Sequence, residues 1–129
     1  MAILIILSLV APQAAIAGIV PPVKSYKPLR EKIIYYADAY SVSSSTMLRI
    51  ANCEGKAQFN PDGSVLRGRI NPKDVGIFQV NERWHLVDSK KLGMNIYTVE
   101  GNIEYSMWLA SKQGLKPWSA SKNCWTQNV

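Results

Sequence analysis

The sequence predicts a mainly α domain of the α+β kind, with helices forming the body and one small β-hairpin excursion between them. Two observations carry this. Apolar residues recur at helical spacing in three separate stretches, and the segment between the second and third is dense in turn formers. At 129 residues the chain has the length of one domain.

Taken in order, residues 2–11 (AILIILSLVA) are uncharged and apolar, about the length of a signal-peptide core. Ala15-Ile16-Ala17 fits a small-x-small cleavage site, with Gly18 as the first mature residue. No Lys or Arg precedes the run, so only the terminal amine supplies charge there. A retained anchor is the alternative, but the run is too short to span a bilayer, and Pro12 and Gln13 interrupt it. The expected organisation is a signal peptide over 1–17, a proline-rich linker over 18–28 and one folded domain over 29–129. The mature chain is expected to be exported, periplasmic or extracellular, and not to remain inserted in a membrane.

Leu29, Ile33, Ala37 and Tyr40 predict a first helix over about 28–40, with Pro28 suited to its first turn. Ser43 to Ser45 offer capping hydroxyls for a second, whose inward face is Met47, Ile50 and Ala51 and which ends near Glu54-Gly55. Phe59-Asn60-Pro61-Asp62-Gly63 reads as a turn, residues 64–70 as a small ribbon, and Asn71-Pro72 as a second turn. Residues 76–81 read as a short helix or buried turn rather than a strand. Val99, Ile103, Met107 and Ala110 mark the longest helix, about 98–113, stopped by Gly114.

Cys53 and Cys124 are the only cysteines, an even number in a chain read as exported. A bridge would stabilise the domain by roughly 4 kcal/mol in the chain-entropy model, and two separate buried thiols are the alternative. With one histidine besides, the chain has too few ligands for a usual structural zinc site, and no cofactor is expected. The net charge of +6 suits an anionic polymer or an ordinary solvated basic surface equally. The basic residues are scattered, without the stripe or motif of a nucleic-acid binder, so no nucleic acid is expected as partner.

The candidate chemistry lies between Cys53 and His85. Glu54 closes a helix with an apolar face, and Asp74 follows twenty positions later with the turn-rich excursion between. Two carboxyls on opposite sides of a cleft are what glycosidic cleavage requires, one of them protonated through burial. The alternatives are a solvated helix-end Glu and a turn Asp.

Glu54, the following Phe59-Asn60-Pro61 and the run Gly76-Ile77-Phe78-Gln79-Val80-Asn81 together resemble the lysozyme-like superfamily, which includes lysozymes and soluble lytic transglycosylases. The likeness covers roughly residues 29–125, reaching Gly114-Leu115-Lys116-Pro117-Trp118 and Cys124. It implies a lysozyme-like fold, with the β-hairpin beside the active-site cleft, and cleavage of the β-1,4 bond between N-acetylmuramic acid and N-acetylglucosamine. By the same resemblance, Glu54 is the general acid and base of a lytic transglycosylase, or Glu54 and Asp74 together serve a hydrolytic lysozyme. A non-catalytic wall-binding or partner-binding module is the alternative of another class. Gln79 and Asn81 would meet sugar or backbone, Phe59 follows the acid in the family pattern, and Trp84 is a candidate platform for a pyranose face. The partner implied is the peptidoglycan glycan strand, acted on by a monomer, with service to a secretion or pilus machine open. Gly55 stands where the family has serine after the acid, and Ser119-Ala120-Ser121 where many transglycosylases have Ala-Tyr-Asn.

Overall fold

The computed structural model describes residues 28–55 and 57–127, so the expected signal peptide and nearly all of the linker lie outside the described residues. Helices α1 (Leu29–Ala39) and α2 (Ser44–Gly55) are followed by the strands β1 (Asp74–Val75) and β2 (Val80–Asn81). Then come α3 (Glu82–Lys91), α4 (Val99–Gln113), a 3₁₀ turn over Lys116–Ser121 and the single-turn α5 (Lys122–Trp125). The protein is mainly helical with one two-stranded antiparallel sheet, in which Asp74 pairs with Asn81 and Val75 with Val80.

The core forms around α4. Asn102, Ile103, Tyr105, Ser106, Met107, Leu109 and Ala110 are all buried, so this helix is covered on most of its circumference. Thr98 caps it by accepting a hydrogen bond from the Gly101 amide, and Gly114 ends it at φ 64°, where a side chain would be strained. Helix α1 lays Ile33, Tyr36 and Ala37 against α2 and α4, and α2 contributes Met47, Ile50 and Ala51. These are the faces the apolar spacing predicts. Pro28 sits one position before α1 rather than inside it, and Ser43 caps α2 through the Thr46 amide at 3.3 Å.

Two local expectations need correction. Residues 76–79 do form a turn, yet Val80–Asn81 is a strand, and it is short because Asn81 immediately begins α3. Residues 64–70 do not make a ribbon of their own. They form single bridges to different partners, Phe59 with Val65, Ser64 with Thr98 and Arg67 with Val75. Helix α3 is absent from the periodicity reading for a physical reason: Ser89 is its only buried residue. Its ends rather than its face define it. Asn81 accepts from the Arg83 amide at 3.1 Å, Glu82 lies in the first turn, and Lys90 and Lys91 lie in the last.

The tail is bound to α2. Cys53 and Cys124 are disulfide-bonded with Cα atoms 6.0 Å apart, within the range such a bond needs. Arg49 donates from Nε to the Trp125 carbonyl at 3.0 Å. Trp118 and Trp125 are buried, and their indole N–H groups donate to the Phe78 and Trp118 carbonyls at 2.9 and 3.0 Å. No helix among the described residues is long and apolar enough to cross a membrane.

Candidate active site

The last turn of α2 carries Glu54 into a groove made of two adjoining cavities, of about 420 and 430 Å³. Both are lined by Glu54, Asp74 and Gln79, so these three residues mark the middle of the groove. One arm continues past Val80, Asn81, Trp84 and His85 to Lys116 and Trp118. The other runs beneath residues 66–71. A further cavity of about 350 Å³ behind α3 is lined by Leu86, Met94 and Ile96 and has no carboxylate on its walls. Acid chemistry therefore has one place to occur among these cavities.

Glu54 is half-buried, and its carboxyl is pushed above the ordinary 4.5, chiefly by desolvation. The Ser121 hydroxyl donates to Oε1 and draws the value back, while the negative field of Asp74 raises it. Ser121 also reaches the Trp118 carbonyl at 3.2 Å. The residue before Glu54 is thus held to the tail by the disulfide, and Glu54 itself by Ser121. Gly55 matters to the opposite contact, because a Cβ there would lie 3.1 Å from the Ile77 carbonyl oxygen and 3.2 Å from that of Gly76. The absence of a side chain at Gly55 lets α2 approach the 76–79 turn closely.

Asp74 opens β1 with its side chain in the groove, where Oδ1 accepts from Asn81 Nδ2 at 2.8 Å. Its backbone N–H is taken by Asn71 at 3.0 Å, and its carbonyl accepts from Gly68 at 2.7 Å. It faces the same space as Glu54 and is fixed in place. Gln79 sits at φ 49°, an unusual left-handed position for a residue with a side chain, and donates from Nε2 to the Gly76 carbonyl at 2.9 Å. Asn81 spends its amide on Asp74 and its oxygen on the cap of α3. Both amides line the groove while tied to the protein.

Trp84 is 68% exposed on the rim, with the Arg83 guanidinium 5.1 Å from its ring centre. Phe59 is not brought to the groove. It is 46% exposed and lines neither of the two cavities, whose wall includes Gln58 and resumes at Leu66. His85 is half-buried, pairs through Nδ1 with the Tyr105 hydroxyl at 3.0 Å, and is pushed down mainly by burial. No group of three His, Cys, Asp or Glu among the described residues is placed to hold a metal ion.

Two residues of the site were not singled out from sequence. Fully buried Asn102 accepts from the Phe78 amide at 3.1 Å and donates to the Val75 and Ile96 carbonyls at 2.9 and 3.0 Å. It pins the 76–79 turn to α4, against Gly76 at φ 84°, where a Cβ would fall 2.2 Å from its amide nitrogen. The second is Ser121. It lies three positions before Cys124, so a bridge to Cys53 places it one turn away on the side of Glu54.

Comparison with family models, with curated proteins and with solved structures gave no match to this chain.

Proposed function

We propose that the chain is a peptidoglycan glycosidase that cleaves the β-1,4 bond between N-acetylmuramic acid and N-acetylglucosamine, in the manner of a lytic transglycosylase. The observation that carries the reading is a carboxyl at the middle of a groove with its proton favoured by burial. Glu54 protonates the leaving oxygen as the glycosidic bond breaks. As carboxylate it then removes the proton of the muramoyl 6-hydroxyl, whose oxygen closes onto the anomeric carbon. The resemblance at Glu54, Phe59-Asn60-Pro61 and residues 76–81 supports the same substrate and the lysozyme-like fold.

A second reading, hydrolysis, is favoured by one feature. Asp74 occupies the groove beside Glu54 instead of closing a turn with its side chain. A carboxylate there would stabilise the cationic centre or attack it, with water completing the reaction. The tail departs from the transglycosylase pattern at residues 119–121, where Ser121 takes up a contact with the acid.

Digestion of purified murein decides between them. Transglycosylation releases 1,6-anhydro muropeptides one water lighter than hydrolytic products. Glu54→Gln is expected to lower the rate by at least about 10²-fold in either case, the low end for general acid catalysis. A folded Glu54→Gln protein with wild-type lysis rejects Glu54 as the acid in both readings, whereas absence of lysis by the wild-type protein leaves the non-catalytic module.

A further inference from the structure

The arm of the groove beneath residues 66–71 is charged asymmetrically. Glu54 and Asp74 form its floor, whereas the lip above carries Arg67 and Arg69. Arg67 is immobilised. It donates to Glu82 Oε1 and to the Pro72 carbonyl, each at 3.0 Å, and lies 5.7 Å from the Tyr97 ring centre. Glu82 is shared further with Lys73 at 3.5 Å and with the Tyr97 hydroxyl at 2.6 Å. Those contacts hold its carboxyl down to about 2, so it stays charged.

Arg67, Arg69 and Lys73 against the one carboxylate of Glu82 leave the lip with two uncompensated positive charges. Arg69 is exposed, and its side chain has no hydrogen bond or ion pair with any described residue. Ile70 beside it is fully exposed, an apolar side chain with no core to join. The backbone below is fixed by close packing, since a Cβ on Gly68 would lie 2.3 Å from the Asn71 carbonyl oxygen. The strip therefore presents a free guanidinium and an apolar side chain beside the groove that holds Glu54.

We propose that the lip of Arg67, Arg69 and Ile70 is a carboxylate subsite, which selects glycan strands bearing acidic substituents on the muramoyl ring over neutral strands. This rests on the glycosidase reading and adds a substrate class to it. The subsite requires that a sugar in the groove turn its 3-O substituent outward. A carboxylate there meets Arg69 in a charge-assisted pair, with Arg67 supplying fixed field behind it. Asp74 on the floor repels the same carboxylate, which keeps it at the lip and sets the register of the strand.

The test uses the Glu54→Gln protein, so that strands are held and not consumed. Its binding is measured on native murein and on murein whose carboxyls have been converted to neutral amides. Amidation is expected to weaken binding about five-fold, the scale of one partly exposed ion pair. Adding Arg69→Ala should cost the same on native murein and nothing further on amidated murein. Arg69→Gln, which keeps polarity and removes charge, should match the alanine variant. Murein stripped of peptides by an amidase separates the sources. The amidase removes the peptide carboxylates and frees the lactyl carboxylate, which is amide-linked in native murein. Coupling lost on stripped strands places a peptide carboxylate at the lip of native murein, and coupling found there shows that a freed lactyl carboxylate also fits it. Absence of binding to native murein, no effect of amidation, or independent addition of the two effects would overturn the subsite. Catalysis is read separately: lysis by Glu54→Gln would reject the acid while leaving the binding result to judge the lip.

Discussion

The two walls of the groove are built on different physical principles. The Glu54 wall is apolar and cross-linked: α2 buries Met47, Ile50 and Ala51, the disulfide binds Cys53 to Cys124, and Trp118 and Trp125 fill the space behind. The facing wall, residues 58–79, is held by turn hydrogen bonds, single bridges and the surface cluster around Glu82. A carboxyl on the first wall loses water and holds its proton to a higher pH than an ordinary glutamate. Behind the second, at the start of α3, Glu82 gains donors and its carboxyl is held down to about 2. The same functional group acquires opposite character according to whether burial or hydrogen-bond donors dominate its surroundings.

If that contrast is right, breaking the covalent link should damage the first wall most. Replacing Cys53 and Cys124 by serine is expected to cost roughly 4 kcal/mol of stability in denaturant unfolding. The loss should reach Glu54 as well, because Ser121 lies on the freed tail. Full retention of both stability and lysis would mean that burial alone holds this wall.

The joint between the walls is Asn102. Asn102→Ala leaves the Phe78 amide and the Val75 and Ile96 carbonyls buried without partners, an expected loss of about 3 kcal/mol. Calorimetry checks this. A change below about 0.5 kcal/mol, the range of ordinary surface substitutions, would show that the 76–79 turn does not need α4.

The smallest expected effect is the most informative about the acid. Ser121→Ala removes a donor that stabilises the charged form, so the Glu54 carboxyl should rise further. General acid catalysis falls as pH rises through that value, so the alkaline limb of the pH–rate profile should move to higher pH. A limb that stays in place, or moves down, would reduce Ser121 to a structural contact.

Most of the buried wall was legible in the sequence. Helical spacing identifies α1, α2 and α4 because burial of one face imposes it, and the Thr98 and Gly114 boundaries of α4 follow from capping chemistry. The open wall was less legible. Periodicity says nothing of α3, which buries only Ser89, nor of residues 64–70, whose bridges go to three separate segments. Asn102 was concealed beside an apolar stripe, although polar Asn102 and Ser106 at helical spacing next to Ile103 and Met107 do signal an inward polar strip. Phe59 was placed by motif alone. Nothing in its type or spacing says on which side of the 60–63 turn it falls.

The central claim is that the buried wall raises the pH at which Glu54 gives up its proton. Carbon-13 titration of the glutamate carboxyls, with Glu54→Gln to assign the resonance, measures this directly. The account predicts a midpoint above 4.5, and a native-state penalty that grows as pH rises from 4.5 through that midpoint. Glu54→Gln should accordingly be more stable than wild type above the midpoint and equal to it below 4.5. A midpoint at or below 4.5, with no such gain, would contradict the account.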